Sequence, residues 1–113
     1  MSNATPPLLS DADLDRLSGS RRIVAAVGRV WVVSQGEMLS PSRDAHFVEA
    51  RWVAMHLMRS RLGIAARNVA RLMGRDHSTV LHALRSIAAR LARDDELRRQ
   101  VGRVTSALEE MGA

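Results

Sequence analysis

Gly74-Arg75-Asp76-His77-Ser78-Thr79-Val80-Leu81-His82-Ala83 is the stretch that decides how this chain folds. Before it, residues 65–73 carry Ala66, Val69, Ala70 and Met73 at helical spacing, and Gly74 is placed to close that short helix. After it, Val80, Leu81, Leu84, Ile87 and Leu91 repeat with the same period, so a second helix is expected over residues 77–92. Asp76 sits where it can cap the second helix, with His77, Ser78 and Thr79 in its first turn. Ala66 and Ala70 are small enough to let the two helices cross closely. The pattern reads as a helix-turn-helix. Short polar side chains on a protruding helix start suit base edges in a major groove, and the free N–H groups there suit phosphate.

Working back toward the N-terminus, residues 45–62 form a long periodic run in which Phe47, Val48, Ala50, Val53, Ala54, Leu57, Met58 and Leu62 share a face. Gly63 is positioned to stop it. Ser40-Pro41-Ser42-Arg43-Asp44 interrupts the pattern and reads as a loop with Arg43 at its tip. Gln35 to Leu39 adds one turn, with Met38 and Leu39 inward. Earlier still, Ile23, Val24, Val27, Val30 and Trp31 mark a core helix, capped by Ser20 and ending near Val33, in which Gly28 implies close packing by a neighbour. Ser18-Gly19-Ser20 is expected to separate it from a short docking helix with Leu9, Leu14 and Leu17, introduced by Ser10 and Asp13 as a capping pair. Residues 1–9, with Pro6 and Pro7, read as a tail.

Toward the C-terminus, Asp94-Asp95-Glu96 places acidic residues at a new helix start. Leu97, Val101, Val104, Leu108 and Met111 follow at four-three spacing. That stripe either packs back on the domain or forms a homodimer, since the spacing is also that of a coiled coil. The division expected is a tail with a short helix over residues 1–19, a helical domain over 20–93, and a last helix over 94–113. The fold class is all-α, a compact helical bundle around a helix-turn-helix.

Composition narrows the function. All 17 basic side chains are arginine, the formal net charge is +5 and the sequence pI is about 11.5. Arginine offers a planar donor fork that grips phosphate and guanine edges, so nucleic acid is favoured over acidic protein partners. There is no cysteine, which excludes disulfides and thiolate metal sites. His46, His56, His77 and His82 form no constellation with metal-ligand spacing, so no metal is expected. No apolar run approaches the roughly 18 residues of a membrane span, and no signal pattern opens the chain, so the expected location is cytoplasmic and nucleoid-associated. Nothing supplies a nucleophile–base pair, paired catalytic carboxylates or a phosphate cradle. An enzyme is therefore not expected, and neither a cofactor nor a small-molecule substrate is implied.

Residues 21–93, about two thirds of the chain, resemble the C-terminal DNA-binding domain of the bacterial replication initiator DnaA. That family's signature reads approximately Gly-Gly-Arg-Asp-His-Thr-Thr-Val-x-His-Ala, and here it stands as Gly74-Arg75-Asp76-His77-Ser78-Thr79-Val80-Leu81-His82-Ala83. The family's loop arginine and its following Ala-Arg-x-x-Ala-Met helix are matched by Arg43 and by Ala50-Arg51-Trp52-Val53-Ala54-Met55. The resemblance implies double-stranded DNA as the partner. It places Asp76, His77, Ser78 and Thr79 at base edges in the major groove and Arg43 in the adjoining minor groove. Arg51 would reach DNA from the preceding helix, and Arg59 and Arg75 would contact the backbone or support it. Ala65 falls where the family often has a phosphate-contacting serine.

Departures from the family pattern carry their own expectations. One of the signature's two glycines is absent, implying a turn one residue shorter, and Ser78 lacks the methyl of the family's threonine. Trp52 stands where a polar residue is common, and serves either packing or stacking. No Gly-x-x-x-x-Gly-Lys-Ser/Thr loop is present, so the expectation is a stand-alone relative lacking the initiator's ATPase: a competitor, an accessory factor or a transcriptional regulator. The alternative is a protein-interaction module with vestigial DNA binding. Some residues keep two readings. Asp76 either caps its helix or accepts from a cytosine amine, and Arg43 is either a DNA contact or a solvated charge. Arg51 and Arg59 either reach DNA or pair with Glu49 or Asp44. His82 is expected to be buried and hydrogen-bonded.

Overall fold

A computed structural model describes residues 10–112, and the reading of residues 1–9 as a tail lies outside them. The described chain folds into six helices: α1 (Asp11–Trp31), α2 (Gln35–Leu39), α3 (Ala45–Leu62), α4 (Ala66–Met73), α5 (His77–Leu91) and α6 (Asp95–Glu110). No strand occurs among the described residues, as an all-α fold requires.

The chemistry at the helix ends explains the boundaries. Ser10 and Asp13 close a reciprocal capping box at the start of α1, and Ser34 and Glu37 do the same for α2. Asp44 accepts from the His46 amide at α3, and Asp94 accepts from the Leu97 amide at α6. Gly63 and Gly74 end α3 and α4 in the left-handed region, at φ 65° and 64°.

α1 is where the sequence reading fails. The break expected at Ser18-Gly19-Ser20 is absent: α1 runs unbroken through it. Ser20 does not cap a new helix; it is buried within α1 and its hydroxyl donates to the Arg16 carbonyl at 2.8 Å. Gly19 is small because α3 passes close by. A Cβ there would come within 2.9 Å of the Leu62 side chain. Packing against α3 thus outweighs the low helix propensity of Ser-Gly-Ser, and the boundary expected between residues 19 and 20 falls inside one helix. Gly28 meets its expectation, since a Cβ there would lie 2.6 Å from the Val33 carbonyl oxygen.

The helix ends at Trp31, two residues earlier than expected, because Val32 turns left-handed at φ 55°. Val32 is 86% exposed, so its side chain gives little in return for that conformation. A left-handed β-branched residue costs roughly 1–2 kcal/mol, while glycine adds about 0.4–1 kcal/mol of unfolded-state freedom. Val32→Gly should therefore stabilise the fold by roughly 0.5–1 kcal/mol. A thermal melt checks this, and an unchanged or lower midpoint would contradict it.

One core joins all six helices. Ile23, Val27 and Trp31 of α1 pack with Val53, Ala54, Met55 and Met58 of α3, Met38 of α2, Val69 and Met73 of α4, Val80 and Ile87 of α5, and Leu97 and Val104 of α6. The apolar stripe of α6 lies against α1 and α5, with Leu97, Val104, Ala107 and Leu108 buried. The stripe read as an alternative dimer surface is thus used within the chain. Glu49 ties three helices together: it accepts from the Trp31 indole N–H at 2.9 Å and from Arg90 at 2.6 Å. It is therefore not the partner of Arg51 or Arg59.

Candidate nucleic-acid interface

The helix-turn-helix expected from the signature is present, and its turn is set by backbone geometry. Gly74 supplies the left-handed residue, its N–H directed at the Ala70 and Arg71 carbonyls, and the Arg75 N–H donates to the Ala70 carbonyl at 2.9 Å. Met73 completes α4 with its side chain buried. α5 is then held from below by Val80, Ala83 and Ile87, none of which has exposed surface. Fixing that face inward leaves Asp76, His77, Ser78 and Thr79 exposed at the tip.

Asp76 departs from the capping reading: its side chain makes no cap hydrogen bond, although its carbonyl starts the helix by accepting from Val80. The first amides of α5, which like those of any helix have no intrahelical partner, are therefore left without a side-chain cap as well. An uncapped, exposed helix start attracts anions. Arg67, Arg71 and Arg75 line a shallow depression together with Asp76 and His77, which adds positive charge beside it. α4 likewise starts without a side-chain cap, at Ala65.

The loop before α3 is organised by its serines. The Ser40 hydroxyl donates to the Glu37 carbonyl at 2.7 Å and accepts from the Ser42 amide at 3.3 Å; the Ser42 hydroxyl accepts from the Asp44 amide at 3.1 Å. Arg43 stands exposed between these bonds. Only polarity and proline marked this stretch in the sequence; the hydroxyl ladder that orders it was not anticipated.

Arg51, expected either to reach DNA or to pair with Glu49 or Asp44, is turned inward in the structure. It is 6% exposed, and its guanidinium donates to the carbonyls of Met38 at 2.7 Å, Ser40 at 2.8 Å and Ser42 at 3.3 Å. Burial, and then the neighbouring Arg75, push it below the ordinary arginine value. Its donors are spent on the loop, so it shapes the surface that carries Arg43. Arg75 is half-buried and directs its guanidinium to the Ser40 carbonyl and, at 3.5 Å, to the Leu39 carbonyl. Arg59 is exposed and joins no ion pair among the described residues.

His82 also differs from its expectation. It is exposed one turn beyond the tip, with its ring edge-on to half-buried Trp52 at 5.8 Å between centroids and the Ser86 hydroxyl 3.4 Å from Nε2. Trp52 is thereby engaged in packing between α3 and α5. His56 is half-buried, and desolvation lowers its pKa from the usual histidine value. No group of three or more histidine, aspartate or glutamate side chains among the described residues is arranged to hold a metal. No helix among them is long and apolar enough to cross a membrane.

Comparison with known proteins puts this geometry in context. The chain is 37% identical over 89 residues to the chromosomal replication initiator protein DnaA of Thermomicrobium roseum, covering 78% of this chain and 19% of that protein. It is 36% identical over 119 aligned residues to DnaA of Nitrobacter hamburgensis, covering 96% of this chain and 25% of the relative. The chain thus spans a fifth to a quarter of the length of these relatives. A crystal structure of a DNA replication initiation factor superposes with a TM-score of 0.68 at 30% identity, over 87% of this chain and 32% of that one. Residues 20–87, from the middle of α1 to Ile87 of α5, match the family model described as the bacterial DnaA protein helix-turn-helix, and the chain belongs to that family.

Proposed function

We propose that this domain binds double-stranded DNA with sequence preference, placing the start of α5 in a major groove and the Arg43 loop in the neighbouring minor groove. His77, Ser78 and Thr79 face base edges. Asp76, released from capping, is available to a cytosine amine. Arg43 enters the minor groove, and Arg59 meets phosphate. The observation that supports the reading best is the hydrogen-bonded link between the exposed, uncapped tip of α5 and the loop carrying Arg43. A DNA partner places the protein at the nucleoid.

The initiator relatives suggest where such binding would matter. These 113 residues contain no nucleotide-binding loop. Occupying initiator sites, this domain would serve as a competitor, an accessory factor or a regulator of transcription. A second reading, a protein-interaction module, is favoured by Leu72, which is 36% exposed and lines a groove between α1 and α4 together with Leu17.

Selection of bound sequences from a random duplex pool, followed by gel shifts over a salt series, separates the two. DNA binding predicts an enriched motif and an affinity that falls steeply with salt. Arg59→Ala should weaken all duplexes alike and reduce the salt slope by about 1. Absence of duplex binding at low salt would favour the interaction module.

A further inference from the structure

We propose that Arg75, assisted by Arg51, is a positioning residue that locks the Arg43 loop to the turn before α5, so that the two DNA-reading elements meet the duplex as one rigid unit. The inference rests on the DNA-binding reading and adds a coupling that the reading itself does not require.

Two arginines from different elements converge on one backbone oxygen. Arg51 comes from α3 and Arg75 from the turn between α4 and α5, and both donate to the Ser40 carbonyl. Around it, Arg51 also holds Met38 and Ser42, and Arg75 also reaches Leu39. Four carbonyls between residues 38 and 42 are thus gripped immediately before Arg43. Arg75 lies one residue before Asp76 and two before His77, so its side chain ties the recognition tip to the loop across 35 residues of sequence.

Neither guanidinium joins an ion pair with a carboxylate among the described residues. Two cations held this close repel one another, an arrangement favourable only beside strong acceptors. Carbonyl dipoles supply part of that compensation, and phosphates along a bound duplex would supply more. Arg75 uses both arms of its fork, Nη2 toward the Leu39 and Ser40 carbonyls and Nη1 toward its own turn at the Gly74 carbonyl, 3.5 Å away. Lysine's ammonium, a point charge on a flexible stem, has no second arm to hold the turn at the same time.

The test is a double-mutant cycle on the sequence selected from the random pool, read as dissociation constants on that duplex and on a scrambled one. Arg43→Ala alone should weaken binding to the selected duplex roughly tenfold. Arg75→Lys keeps the charge and lets the loop drift, so in that background Arg43→Ala should cost less than about twofold, whereas independent sites would multiply. Amide exchange at Ser42 and Asp44 should quicken in Arg75→Lys while the amides of α5 stay protected. Arg51→Lys combined with Arg43→Ala repeats the comparison if Arg75→Lys does not fold. Multiplying effects with unchanged loop exchange would overturn the coupling and leave the DNA-binding reading standing. A wild-type chain that binds no duplex would overturn both.

Discussion

Arg51→Met should lower the unfolding free energy by about 2–3 kcal/mol, because hydrogen bonds to a buried charged group contribute about 1.5–3 kcal/mol each and are far from additive. The side chain is 6% exposed and serves three carbonyls. Methionine fills similar space but donates nothing. The Met38 carbonyl would lose the guanidinium, while Ser40 would retain Arg75. Relief of the buried charge offsets part of the loss. Denaturant melts measure the effect, and a midpoint shift at unchanged slope assigns it to the folded state. A change below about 0.5 kcal/mol, the usual range for surface substitutions, would contradict the clasp around residues 38–42.

The second large effect concerns recognition. Thr79→Ala should cost about 1–3 kcal/mol on the preferred duplex and nothing measurable on random DNA. The contrast follows from the geometry. Thr79 is exposed, whereas its neighbour Val80 is fully buried and fixes the helix. Removing the hydroxyl and methyl therefore alters what the tip presents without moving α5. Base preference should relax at one or two positions. Equal weakening on both duplexes would show that Thr79 does not read sequence.

The helix-turn-helix was legible because its signals are local. Gly74 needs a left-handed residue, Val80 and Ile87 need a buried face, and Asp94 needs a free amide; each constraint is written within a few residues. α3 was legible for the same reason, its limits at Ala45 and Leu62 being set by Asp44 and Gly63. What local signals missed was decided by distant partners. Gly19 reads as a breaker until Leu62 of α3 lies against it, and Ser20 reads as a cap until its hydroxyl turns back to Arg16.

The candidate interface divides along the same line. The exposure of His77, Ser78 and Thr79 follows from helix period once the buried face is known. The fate of Arg51 does not, because an arginine on a polar stripe looks the same whether it reaches outward or inward. Carbonyls 9–13 residues earlier in the chain decide it. His82 shows the reverse case: it was expected inside, but Ala83 and Val80 fill the buried positions and Trp52 holds its ring at the surface.

The most direct measurement is an amide chemical-shift titration of the protein with the duplex selected from a random pool. The account predicts the largest shifts in two stretches distant in sequence, residues 40–44 and 74–82, changing together at one DNA concentration. Shifts centred on the groove between α1 and α4, with residues 74–82 unmoved, would contradict it.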